Sequence, residues 1–170
     1  MNVTADELAG IVDLFGGLTR PELERALSEA AFREDGGSVD DAALEETLDG
    51  ALESFALVRY ERSAVDGGEA EDETAPDLFV AGPTAFPSTP DAAEDLPHIL
   101  EIDSRSRTLD RAALGDQAHD RFARAAATAV DAGDDDRIAE LLDASYDLEA
   151  WAPVDLAAER DRLDAALERA

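Results

Sequence analysis

The chain has no cysteine and no lysine, and its 170 residues include only two histidines and a single tryptophan. Without cysteine, disulfide staples and thiolate metal sites are excluded. His98 and His119 alone give a multi-histidine zinc site or a histidine-based triad almost nothing to draw on. No apolar run approaches the roughly 20 residues that span a bilayer. The opening MNVTADELAG lacks the basic and apolar regions of a secretory signal, so a cytoplasmic protein with no membrane partner is expected.

Acid is what the chain has in excess. It carries 42 Asp and Glu against 14 Arg, a net charge of −28, yet its 45% hydrophobic content can supply the core of one or two small domains. A wholly disordered acidic chain is therefore not expected. The charge is no tail: residues 1–87 hold 21 acids and 5 Arg, and residues 88–170 hold 21 acids and 9 Arg. Such a surface repels itself in dilute buffer, whereas at molar salt the Debye length falls to about 3 Å and separated carboxylates are screened. With arginine as the only cation, this fits a high-GC, high-salt source, with solvent cations around the surface, better than a mimic of DNA.

Residues 4–54 read as three short helices. Thr4 with Glu7 and Thr19 with Glu22 have capping-box spacing, Gly16-Gly17 and Gly36-Gly37 end the two helices, and Ser38 with Asp41 opens a third. Its buried face is expected to hold Leu44, Leu48, Ala51, Leu52 and Phe55. The period then changes. Residues 56–62 and 78–81 read as strands of a hairpin whose long acidic tip, 63–77, is expected to be disordered. The predicted fold class is α+β, mostly helical: a winged helix-turn-helix-like domain over 1–87, three helices plus a β-hairpin, followed by a C-terminal helical extension. A Pro-rich connector spans 88–104, with a short strand expected over 98–103, and a helical domain covers 105–170. There Gly115, Ala118, Phe122, Ala125, Ala126 and Ala129 form a stripe that admits a close helix neighbour.

The segments TADELAGIVDLFGGLTRPELERAL, GPTAFPSTPDAAEDLPHIL and YDLEAWAPVD resemble an uncharacterised family of haloarchaeal proteins, a domain of unknown function. That resemblance implies a halophilic cytoplasmic protein. It brings no activity and no functional residues.

In a winged helix, the helix ahead of the wing normally enters the major groove. Here residues 39–54 carry Asp40, Asp41, Glu45, Glu46, Asp49 and Glu53, and no cation lies between Arg33 and Arg59. Groove entry would set these carboxylates against the phosphates with no counterion release from this helix, so a solvated acidic face is the preferred reading. Arg59 and Arg62 are the nearest phosphate candidates, or partners of the acidic loop. Residues 104–130 are the least acidic stretch, with Arg105, Arg107, Arg111, Arg121 and Arg124 against three Asp. On an ideal helix these arginines do not build one basic face, so ion pairing is preferred to a nucleic-acid patch. Trp151, with Tyr146, Leu148 and Pro153, reads as core or, if exposed, as a binding anchor.

Asp134-Asp135-Asp136 lacks the spacing of an EF-hand loop and reads as a helix start. No catalytic residue, metal site or cofactor is assigned, and no enzyme is expected. The expected function is a halophilic, non-enzymatic protein-interaction or regulatory module with a protein partner or self-association. The alternative is a DNA-binding transcriptional regulator that uses the wing or C-terminal arginines.

Overall fold

Two capping boxes start the first two helices of the computed structural model, which describes residues 3–62, 76–102 and 107–169. At α1 (Ala5–Phe15) the Thr4 amide donates to Glu7 Oε2 at 2.8 Å, and the Glu7 amide returns to Thr4 Oγ1 at 3.2 Å. Gly16, left-handed at φ 71°, ends that helix. Glu22 plays the matching part for α2 (Arg20–Asp35), accepting from the Thr19 amide at 2.9 Å. The N-cap of α3 (Asp41–Glu53) is Asp40 rather than Ser38. Its carboxylate accepts from the Ala43 amide at 2.9 Å, which satisfies an orphan donor and puts negative charge at the positive helix end.

Leu44, Leu48 and Ala51 are buried on the inner face of α3. Phe55 is buried too, but lies beyond the helix in a left-handed conformation, φ 64°, that turns the chain into β1 (Leu57–Tyr60). β1 pairs antiparallel with β2 (Leu78–Ala81), with Leu57 opposite Ala81 and Tyr60 opposite Leu78. The other edge of β2 receives Leu18, from the turn between α1 and α2, through two hydrogen bonds with Phe79 of 3.0 and 2.7 Å. Of the acidic tip expected over 63–77, Pro76 and Asp77 are placed at the hairpin stem; 63–75 lie outside the described residues.

The strand expected from residue 98 is replaced by helix. A 3-10 turn (Asp91–Ala93) leads to α4 (Leu96–Ile99), closed by the Leu100 amide donating to the Leu96 carbonyl at 2.8 Å. Leu96 and Leu100, four residues apart, enter the core together with Ala93. That spacing suits a helical turn, and the free edge of β2 that a further strand would have taken is held by Leu18. Residues 82–90 return along α1, where the Ser88 amide donates to the Asp6 carbonyl at 3.0 Å. Gly10 makes that approach possible, because a Cβ there would stand 2.3 Å from the Ser88 carbonyl oxygen.

The described residues are α+β and mostly helical, with one two-stranded sheet, and the chain divides into two units, Met1–Thr108 and Leu109–Ala170. The second is a three-helix unit: α5 (Arg111–Ala132), capped by Asp110 and ended by left-handed Gly133, then α6 (Asp135–Trp151), capped by Asp134, and α7 (Ala157–Leu167). Its core is Leu114, Ala118, Phe122, Ile138, Leu141, Leu156 and Leu163, all essentially inaccessible to solvent. His119 on α5 meets Glu159 on α7 at 3.1 Å, and later residues of both helices line one groove, so the two run in the same direction. Among the described residues no helix is long and apolar enough to cross a membrane.

Candidate functional site

Burial of Leu44, Leu48 and Ala51 turns the opposite face of α3 outward, and that face is acidic: Asp41, Glu45, Glu46, Asp49 and Glu53 are all exposed. Arg20 reaches this face from α2. It donates to Glu45 and, through Nε at 2.7 Å, to Glu24, so it bridges α2 to α3. The hydrogen bond from Arg20 holds the Glu45 carboxyl below its ordinary range, and Glu45 raises Arg20 in return.

The hairpin arginines are committed at its stem. Arg59 lies on β1, and its Nε donates to Asp77 Oδ2 at 2.7 Å, while Arg62 Nε donates to the Pro76 carbonyl at 3.2 Å. Both acceptors belong to the segment read from the sequence as the acidic tip. Arg107 is drawn inward: it donates to the Gly17 carbonyl at 3.0 Å and pairs with Glu22 at 2.5 Å. It thus ties the turn after α1 to the capping box of α2. Burial alone would raise the Glu22 carboxyl, but hydrogen bonds from Arg107 and Thr19 outweigh it and leave Glu22 below its ordinary value. Arg105 lies outside the described residues.

In the second unit arginine meets aromatic rings. Arg111, exposed at the start of α5, stands 5.7 Å from the ring centre of half-buried Trp151, so these two sequence candidates are brought together. Arg121 is half-buried and Arg124 exposed further along α5, away from any shared basic face with Arg111. Arg160, not singled out in the sequence, lies 4.7 Å over the exposed Tyr146 ring and pairs with Glu149 at 2.9 Å. That hydrogen bond, with a second from the Leu156 amide, lowers the Glu149 carboxyl. Only the fold supplies this cluster, because α6 and α7 must turn back on each other to bring 146, 149 and 160 together. Among the described residues no group of three or more His, Asp or Glu is arranged to hold a metal ion.

A groove of about 410 Å³ runs between the C-terminal halves of α5 and α7. Ala126, Val130 and Ala165 form its less exposed floor, and the exposed Asp131, Asp161, Arg162 and Arg169 form its rim. Sequence reasoning missed it, since Arg162 lies on α7 and Arg169 just past its end, in a stretch read only as part of the helical domain. Their seven-residue spacing, about two helical turns, was the available signal.

No curated protein and no solved structure matches the chain. A match to the family of unknown function DUF7109 spans residues 6–168, almost the whole of the α+β unit and the three-helix unit described above, and the chain belongs to that family.

Proposed function

We propose that the chain is a non-enzymatic regulatory or protein-interaction module, built on a winged helix and suited to a salt-rich cytoplasm. Three helices precede a hairpin, and Leu18 bridges to the outer edge of β2, so the two-stranded hairpin is tied to the turn between α1 and α2. That arrangement supports the winged-helix reading beyond element order alone. A charge of −28 supports the high-salt reading through screening.

The observation that carries the function is the outer face of α3. Asp41, Glu45, Glu46 and Asp49 occupy the position that would face a nucleotide backbone, and Arg20, a cation that reaches them, is engaged by Glu24 and Glu45. Arg59 and Arg62 are likewise engaged at the hairpin stem. High salt screens the repulsion from phosphates but also removes the counterion-release gain on which non-specific DNA affinity depends. Against catalysis stands the direction of the displaced carboxyls: Glu22, Glu45 and Glu149 are all held low by arginines, the behaviour of ion-pair partners and not of proton donors.

Titration of the full chain with duplex DNA in molar KCl tests the reading. No saturable binding is expected. Saturable binding that is lost in the Arg59→Ala, Arg62→Ala double variant would instead establish a DNA-binding regulator that reads through its wing.

A further inference from the structure

We propose that the groove between α5 and α7 is a self-docking surface, in which a second copy of this chain packs against the first about a two-fold axis. The proposal rests on the interaction-module reading and names its partner. Acids outnumber arginines three to one in the chain, 42 against 14, whereas the groove rim carries two of each: Asp131 and Asp161 with Arg162 and Arg169. Among the described residues neither of these arginines makes an ion pair within its own chain; Arg25 and Arg124 make none either, but Arg162 and Arg169 line one groove together, whereas Arg20, Arg33, Arg59, Arg107, Arg137 and Arg160 are all paired. In so acidic a molecule, two arginines left facing outward together call for carboxylates from elsewhere.

A second copy supplies them in the right number. A two-fold interface is self-complementary: what one groove presents, the other receives. Turned against itself, a rim with equal numbers of both signs can set each arginine pair opposite an aspartate pair, and the signs balance whichever copy is viewed. The floor permits the approach, because Ala126 and Ala165 are small and let helices come near. Elsewhere two such chains repel. A locally neutral patch is where that repulsion is weakest, and molar salt screens the remainder over distances beyond about 3 Å. A partner of basic character would find better electrostatic purchase on the outer face of α3 than on this balanced rim.

Sedimentation of the full chain in molar KCl, over a range of micromolar concentrations, reads the association directly. A reversible dimer is expected. Arg162→Glu with Arg169→Glu makes the rim wholly acidic, and Asp131→Arg with Asp161→Arg makes it wholly basic. Each double variant alone is expected to self-associate on the order of 100-fold more weakly, because like charges then face each other. An equimolar mixture of the two is expected to recover a dimer containing one copy of each. All four side chains are exposed, so helical content serves as the folding control. A wild-type monomer throughout the range overturns the proposal and gives the groove to another occupant. So does a dimer that survives the double arginine replacement, or a mixture that stays monomeric. DNA binding would overturn the module reading whatever the oligomeric state, and a monomer indifferent to DNA would remove this interface alone.

Discussion

The two units use the same cation differently. Residues 1–108 hold 26 acids and 7 arginines, and residues 109–170 hold 16 acids and 7 arginines. In the first unit the arginines act as ties: Arg20 joins α2 to α3, Arg107 joins the turn after α1 to the start of α2, and Arg59 and Arg62 close the hairpin stem. In the second, Arg160 ties α7 to α6 through Glu149, but it also lies over the Tyr146 ring, Arg111 lies over Trp151, and Arg162 and Arg169 face a groove. Where acid excess is greatest, cations hold the fold. Where it is smaller, some lie over rings or line a groove instead.

The broadest way to break this contrast is to withdraw salt. Lowering KCl from about 1 M to about 0.1 M lengthens screening from roughly 3 to roughly 10 Å, and the more one-sided first unit is expected to lose structure first. Trp151 is the single tryptophan and lies in the second unit, so its fluorescence follows that unit while circular dichroism follows both. Ellipticity is expected to fall before the fluorescence shifts, and coincident changes, or an unchanged melting temperature, would contradict the contrast. Next in size is Phe122→Ala, which empties the largest fully buried side chain of the second unit. A loss of about 3–5 kcal/mol is expected from denaturant unfolding followed through Trp151.

Two glycines in the first unit give opposite signs under one substitution. Gly10→Ala forces a Cβ against the Ser88 carbonyl and is expected to cost about 1–3 kcal/mol. Gly50→Ala, on the open face of α3 with nothing within 4 Å, is expected to stabilise by about 0.5–1 kcal/mol. Equal effects in thermal melts would mean that Ser88 yields easily. A smaller effect appears with pH. Because the folded Glu22 carboxyl sits below its ordinary value of 4.5, its stabilising contribution is present above that value and lost as pH falls through the folded value. The stability gap between wild type and Glu22→Gln is therefore expected to be steady near neutrality and to close in acid, below the ordinary value of 4.5. A gap unchanged in acid would show that the Arg107 contact acts through packing. Least of all, Arg59→Ala, which removes a pair with its arginine half exposed, is expected to change stability by under about 1 kcal/mol.

Local signals in the sequence were enough for the first two helices. Thr4 and Glu7, Thr19 and Glu22, and the terminal glycines act over three or four residues, and each is found where spacing put it. The hairpin was legible from β-forming residues on either side of an acidic run. What escaped depends on chain segments distant in sequence. Leu18 is one residue between two helices, with no strand pattern to announce that it pairs with Phe79. Leu96 and Leu100 sit in an apolar run that suits either period, and only the core beneath α2 decides for helix. Of the candidate residues, Arg59 and Arg62 turned to the hairpin stem as one of the two readings held, and Trp151 met Arg111, which ring chemistry allowed but spacing did not specify.

The pairing of Leu18 with Phe79 also sets an order of events. Loop closure between segments so far apart carries an entropic cost before any contact repays it, so topologies with distant pairings fold slowly. The three-helix unit joins successive helices through short turns, and its most distant pairing, α5 with α7, spans a shorter loop. On refolding it is expected to assemble first, while the sheet of the first unit waits for its two ends to find each other.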